Sequence, residues 1–435
     1  MKIGIVSLGC SKNLVDSEKL LGLLISNGLE ITNKYEEAQA IIINTCGFIE
    51  PAKKEAIDTI LTMSEYKNDK CKHLIVMGCL AQRYQKELID EMPEVDRFIG
   101  IYEYKNLGNI LSEELGVRIT NTYGKTTRVL SGKPWMAYLR IADGCDNRCS
   151  YCAIPLIRGK LVSDTIESLV EEAKTLVKNG AKEINVIAQD TTRYGLDLYK
   201  ERKLLELLEK LNEIEGLVWI RVLYMYPDEI DDTLIEGMAK LEKVLPYFDI
   251  PVQYGSDRLL KLMNRRGSVE SIKNITKKIR STFKHSVLRT TIIVGFPYEK
   301  EKDFNETIEF IETIKWDKLG AFIYSKEEDT KAFDFDEQVE ESESAARLNK
   351  LMKIQEEISL KLNSEYINET LDVLIESYDG LTRTYRGRSF LNAPDGIDGE
   401  VWVYSDETLN YGEFVNVEIT RVKNYDLIGE YRGRK

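Results

Sequence analysis

Three thiols fall in the spacing Cys-x-x-x-Cys-x-x-Cys within Asp143-Gly144-Cys145-Asp146-Asn147-Arg148-Cys149-Ser150-Tyr151-Cys152. Thiolates this close in sequence can face one metal centre. A structural zinc site takes four protein ligands, and catalytic zinc usually relies on His or carboxylate. Here Asp146 is the nearest carboxylate, and the two histidines of the chain, His73 and His285, lie far off in sequence. A 4Fe-4S cluster is normally held by four thiolates. A loop offering three leaves one iron free to bind a substrate or cofactor. The competing readings of the same residues are a zinc knuckle completed from a distance and a disulfide-bonded loop.

Length and composition narrow the surroundings of that loop. With 435 residues and 43% apolar content the chain can bury a large core, which suggests about two to four domains. The N-terminus enters an apolar strand, Ile3 to Leu8, without the basic stretch and cleavage site of a secretory signal. No run of about 18 apolar residues occurs, so no spanning helix is expected. Seven cysteines, all at or before Cys152, suit metal ligation in a reducing cytoplasm better than a disulfide framework. The formal net charge of -13 argues against a surface that tracks a phosphate backbone and favours a basic protein partner.

Read in order, the chain begins as strand, loop and helix, repeated. Lys2 to Leu8 is an apolar strand followed by Gly9 and Cys10, and Asp16 or Ser17 can start a helix carrying Leu20, Leu23 and Leu24. Ala40 to Asn44 and His73 to Met77 are continuous apolar runs, as buried parallel strands are, with Cys46 and Cys79 just past them. Cys10, Cys46 and Cys79 therefore share one placement, at the sheet edge where open α/β sheets bind ligands. As single residues they read as buried structural thiols. In equivalent positions they make a second set of three. Cys71 precedes its strand, at the opposite edge, and reads as an ordinary thiol.

A helix and a polar link, Asn121 to Arg128, mark the first boundary. From Pro134 onward strand-helix units recur, with strands near Met136 to Ile141, Glu183 to Ile187, Val218 to Leu223, Tyr247 to Pro251, Val287 to Val294 and Lys318 to Tyr324. Helices lie between them, as at Thr165 to Lys178 and Lys203 to Asn212. Six such units predict a partial parallel (β/α)6 barrel with Cys145 to Cys152 in the loop after its first strand, on the face where barrels build active sites. A charged helical stretch, Glu337 to Leu362, leads to short strands at Leu371 to Ile375, Thr382 to Arg388, Glu400 to Tyr404 and Phe414 to Arg421. These predict a small antiparallel barrel. The expected organisation is thus an open parallel α/β domain over 1–116, the partial barrel over 131–361 and the small barrel over 363–432.

The spacing of the first triad, with Tyr151 just before its last cysteine, resembles the radical S-adenosylmethionine (SAM) superfamily. That resemblance implies that the open iron chelates the amino and carboxylate groups of SAM and that Tyr151 packs near the adenine. With the second triad, the whole chain resembles the methylthiotransferases, whose pattern is an N-terminal cysteine domain, a radical SAM barrel and a C-terminal TRAM domain. The string Ser7-Leu-Gly-Cys-Ser-Lys-Asn-Leu-Val-Asp-Ser-Glu18 is most similar to the RimO-type branch, which acts on ribosomal protein uS12. The tRNA-modifying branches tend to differ at Ser11-Lys12-Asn13. Further similar stretches are Asn44 to Glu50, Gly78 to Arg83, Ala188 to Thr192, Pro251 to Asp257 and Ile293 to Pro297. Tyr298 departs from the pattern, since relatives usually have Gly there, and this leaves the local turn open.

The resemblance implies two 4Fe-4S clusters, one on Cys145, Cys149 and Cys152 and one on Cys10, Cys46 and Cys79. The first would serve radical formation from SAM and the second would supply sulfur, with a second SAM giving the methyl group. The substrate carbon would be the β-carbon of an aspartate, and a low-potential electron donor would be needed. Gln189 and Asp190, ending the second barrel strand, stand where superfamily members contact SAM, or else cap a loop. Arg221 would reach the SAM carboxylate or ribose, or form a structural ion pair. Arg158 would serve the cluster loop or cap it. The last segment offers a separate test of the partner: from Leu371 to Lys435 it has eight Lys and Arg against twelve Asp and Glu, a balance of -4. RNA-binding barrels of this kind use a positive groove, so an acidic one suits a basic protein, although Arg383, Arg386 and Arg388 are clustered. The alternatives are methylthiolation of a tRNA adenosine and, in another class, a non-catalytic iron-sulfur protein that binds RNA or senses redox state.

Overall fold

A computed structural model describes residues 1–120, 122–124 and 128–435, so the polar link expected over 121–128 lies partly outside the described residues. The first strands are β1 (Lys2–Ser7), β2 (Glu30–Ile31), β3 (Ala40–Thr45), β4 (His73–Gly78) and β5 (Arg97–Ile99). They form a parallel sheet of order β2-β1-β3-β4-β5. Every residue of β3 is buried because both faces are covered. Ala40 and Ile42 meet α1 (Ser11–Ser26) and α4 (Leu107–Leu115), while Ile41 and Ile43 meet α2 (Glu50–Ser64) and α3 (Cys79–Glu91). The continuous apolar run read from the sequence has this cause.

The central unit holds β6 (Met136–Arg140), the hairpin of β7 (Ala142–Asp143) and β8 (Val162–Ser163), then β9 (Glu183–Ile187), β10 (Trp219–Val222), β11 (Val244–Asp249), β12 (Val287–Val294) and β13 (Lys318–Ile323). Six of these make an open parallel sheet in chain order, from β6 through β9 to β13. Between them run α5 (Ile154–Ile157), α6 (Ile166–Lys178), α7 (Leu204–Asn212), α8 (Asp232–Met238), α9 (Asp257–Leu262), α10 (Val269–Thr282) and α11 (Glu301–Ile314). Thr165 caps α6 by accepting from the Ser168 amide, as its short polar side chain suits. Residues alternate along the strands. Leu139, Val186, Ile220 and Phe248 pack under the helices, whereas Tyr138, Ile187, Trp219 and Tyr247 face the other way.

Those inward residues are covered from both ends of the chain. Val15 of α1 joins them, and so do Leu371, Val373, Leu391 and Leu409 of the C-terminal unit. There α12 (Glu341–Ser364) leads into β14 (Thr370–Asp379), β15 (Thr384–Arg388), β16 (Val401–Tyr404), β17 (Phe414–Lys423) and β18 (Asp426–Arg434), a closed barrel of order β14-β15-β16-β18-β17. Trp219 meets Phe414 edge to face at 4.6 Å, a contact that adds about 1 kcal/mol beyond its buried area. At Tyr298 the backbone takes a left-handed φ of 67°, a conformation that suits Gly and strains a bulky residue. Its amide donating to the Glu337 carbonyl at 2.8 Å, and its ring lying 5.5 Å from that of Phe335, hold it there.

Candidate functional site

Cys10, Cys46 and Cys79 follow β1, β3 and β4, three neighbouring strands in register: Ser7 stands opposite Asn44, and Thr45 opposite Gly78. The loops meet because two of their residues lack side chains. A Cβ on Gly9 would lie 2.7 Å from the Cβ of Cys46, and one on Gly47 would lie 2.8 Å from the Cα of Leu80. Asn13, on the first turn of α1, ties the loops together. Its amide donates to the carbonyls of Leu8 at 3.1 Å and Thr45 at 2.9 Å, and its Oδ1 accepts from the Cys79 thiol at 3.4 Å. Cys71 is apart from them, packed in the core beneath α2 and bonded to the His73 carbonyl.

The triad Cys145, Cys149 and Cys152 lies on the loop after β7. The Cys145 amide donates to the Gly159 carbonyl at 3.0 Å, the Ser150 amide to Met263 at 2.9 Å, and Asn264 Nδ2 to the Arg148 carbonyl at 2.8 Å. Arg265 donates to Cys149 Sγ at 3.7 Å, to the Tyr151 hydroxyl at 3.2 Å and to the Pro251 carbonyl at 2.7 Å. Arg158 joins the two triads. Its guanidinium contacts Asp143 beside the Cys145 loop at 2.9 Å, Asp16 at 3.0 Å, Asn13 Oδ1 at 2.8 Å and Cys79 Sγ at 3.7 Å. Arg140 also pairs with Asp16, at 2.6 Å. Burial alone would raise the Asp16 carboxyl, yet Arg140 and Arg158 hold it below its ordinary value.

The donor set fits iron-sulfur ligation. Burial pushes the Cys79 thiol up to about 12 and that of Cys145 up to about 11, and it raises Cys46 and Cys152 as well. Metal-binding thiols must lose their protons, and a cluster's irons supply the positive charge that offsets this burial. Among the described residues no three His, Cys, Asp or Glu side chains stand close enough to hold one metal ion. A cluster places each thiolate on a different iron, which needs a wider spread.

The expected cofactor residues divide. The Tyr151 ring meets Phe296 edge to face at 6.5 Å beside Cys149 and Cys152. Gln189 donates to Asp143 at 3.2 Å while its Oε1 is buried without a partner. Asp190 accepts from Asn147 of the cysteine loop at 2.6 Å and caps the turn at Thr191. Arg221 is elsewhere, and the expectation that it reaches SAM is corrected here. It is fully buried within β10, pairs with Glu183 at 3.0 Å, donates to the Phe390 carbonyl at 3.0 Å and stacks on Tyr247. Arg388 is likewise buried, 2.6 Å from Glu183, and Arg386 pairs with Asp379 over Trp402. The clustered arginines of the last unit are therefore largely occupied within the protein. Sequence reasoning passed over Asn13, Asp16, Arg140 and Arg265, whose signal was only charge or amide at short distance from a cysteine or strand end.

Residues 2–100 match an uncharacterized protein family, UPF0004, residues 139–311 the radical SAM superfamily, and residues 367–431 the TRAM domain. This combination defines a radical SAM enzyme with an added cysteine domain and a TRAM barrel. The chain is 48% identical to the ribosomal protein uS12 methylthiotransferase RimO of Acetivibrio thermocellus, covering 99% of this chain and 98% of that one. It is 49% identical to the RimO of Alkaliphilus oremlandii, covering 99% of each. The chain belongs to this RimO methylthiotransferase family. Among solved structures the radical SAM methyltransferase TsrM from Kitasatospora setae shares the fold, with a TM-score of 0.53 at 11% identity over 74% of this chain and 72% of that one.

Proposed function

We propose that this chain transfers a methylthio group to the β-carbon of an aspartate in ribosomal protein uS12. Near-full-length similarity to RimO enzymes carries the reading. We take Cys145, Cys149 and Cys152 as ligands of one 4Fe-4S cluster, and Cys10, Cys46 and Cys79 as ligands of the other. Bound there, the clusters and SAM supply radical generation, sulfur and the methyl group, the hard chemistry that such a protein leaves to its cofactors. The chain's own residues hold the site. Arg265 and Arg158 each direct an N–H at one cysteine sulfur, one per triad, and hydrogen bonds of that kind tune a cluster. Asp16 and Asp143 together offset the charge of Arg140 and Arg158 between the triads. Gln189, Asp190 and Tyr151 lie in or against the segment from Asp143 to Cys152 and are the groups we assign to SAM.

The working divisions are 1–116, 131–361 and 363–432. They are supported by the five-stranded N-terminal sheet, the six-stranded central sheet and the closed C-terminal barrel, which share no strand. Among the described residues no helix is long and apolar enough to cross a membrane. A cytoplasmic enzyme served by a low-potential electron donor is consistent with seven free cysteines. The test is anaerobic incubation of the reconstituted protein with SAM, a reductant, and either uS12 or unmodified tRNA, followed by mass spectrometry. A mass gain equal to SCH3 replacing hydrogen on an aspartate-containing peptide is the expected result. The same gain on an adenosine would move the activity to tRNA, and no gain on either would leave an iron-sulfur protein of another kind.

A further inference from the structure

Lys12 lies two residues after Cys10 on the first turn of α1 and is 6% exposed. Among the described residues its ammonium makes no hydrogen bond and no ion pair. Of the nine buried lysines and arginines among the described residues it is the one left in that state. Its neighbours are occupied: Arg140 and Arg158 hold Asp16, and Arg265 holds Tyr151 and Pro251. Lys12 instead stands 3.0 Å from the centroid of the Tyr224 ring. An aromatic face attracts the cation but leaves its three protons without a protein acceptor among the described residues, and Nζ itself keeps contact with solvent.

Tyr224 is itself held in place at a cost. It follows β10 with a left-handed φ of 60°, strained for an aromatic residue. Its amide donates to Asp249 Oδ2 at 2.9 Å and its carbonyl accepts from Thr191 at 3.0 Å. Thr191 follows Asp190, which carries Asn147 of the cysteine loop. The unpaired cation therefore sits between the turn of Cys10 and the strand ends beside the Cys145 to Cys152 loop.

We propose that the Lys12 ammonium receives the carboxylate of the substrate aspartate and so sets the choice of an acidic side chain. The assignment rests on the uS12 reading above. SAM also carries a carboxylate, and the arms of the experiment separate the two sources. In the reconstituted holoenzyme, Lys12→Gln keeps wild-type iron content and SAM affinity, while KM for uS12 rises roughly 30-fold, the scale for leaving one partner of a buried charge pair alone. Lys12→Arg recovers most of that loss. In a binding competition with the wild-type enzyme, uS12 carrying asparagine at the target position competes roughly 30-fold less well than native uS12, and Lys12→Gln abolishes the difference.

Loss of SAM affinity with unchanged KM for uS12 would give Lys12 to the SAM carboxylate and overturn the proposal. Undiminished discrimination against the asparagine form in Lys12→Gln would overturn it as well. If Lys12→Gln fails to hold iron, the wild-type competition decides alone, and equal competition by the two forms overturns the assignment. A wild-type enzyme that leaves uS12 unmodified overturns the functional reading itself, which is seen before any variant is made.

Discussion

One cysteine triad comes from a single loop, and the other is assembled from three strand ends. Cys145, Cys149 and Cys152 share one loop, which is anchored by the nearby Gly159 carbonyl and by Met263 and Asn264 of the segment that follows α9. Cys10, Cys46 and Cys79 meet only because β1, β3 and β4 are neighbours and because Gly9 and Gly47 let the loops touch. The first ligand set is contiguous in sequence, so its spacing does not depend on the order of the strands, although residues 262–265 brace its loop. The second is a property of the whole N-terminal sheet, and anything that shifts one strand end shifts a ligand.

The largest expected effect separates the triads by role. Replacing Cys145, Cys149 and Cys152 by Ala abolishes cleavage of SAM to 5′-deoxyadenosine, whereas replacing Cys10, Cys46 and Cys79 spares cleavage and stops sulfur insertion, both followed by chromatography and mass spectrometry. Next comes Gly9→Val, whose Cβ would lie against Cys46 at a φ of 88°. This variant loses the iron of the assembled triad while SAM cleavage persists. A value of cleavage as low as in the first triple variant would break the comparison.

The independence of the local triad from distant packing is tested at Arg221. Arg221→Ala leaves Glu183 beside Arg388 and opens the contact with the Phe390 loop. Breaking such a buried pair costs about 3–5 kcal/mol, read as a lower Tm, and SAM affinity stays unchanged. A smaller effect follows with pH. Burial would raise the Glu183 carboxyl, but Arg388 and Arg221 hold it below its ordinary value of 4.5. Its contribution is therefore present above that value and is lost as pH falls through the lowered one. Acid unfolding, followed by circular dichroism, is shallower in Glu183→Gln in that window.

Much of this was legible in the chain. The barrel strands Glu183 to Ile187 and Val287 to Val294 have the bounds expected from the chain, and the fully buried β3 is written as a nearly continuous hydrophobic sequence. β18 was not foreseen: Asp426 to Arg434 carries Gly429, Gly433 and four charged side chains, and the strand is specified by its partners β16 and β17. The short strands β2 and β5 were missed for the same reason. In the site, cysteine spacing and strand-end placement were visible, while side-chain direction was not. Arg221 lies within β10 and turns toward Glu183 on the next strand and the TRAM loop, an orientation that depends on a surface contributed some 170 residues later. Arg388 shows the same limit, since its place in a run of arginines gave no hint that Glu183 and Glu376 enclose it.

The most direct test of a site assembled from three strand ends is to remove the local one. Iron and acid-labile sulfide are measured, with electron paramagnetic resonance after reduction, in the variant with Cys145, Cys149 and Cys152 replaced by Ala. Retention of half the wild-type iron with a cluster signal is the predicted result. A folded variant holding no iron would contradict it, because Cys10, Cys46 and Cys79 would then not hold a cluster of their own.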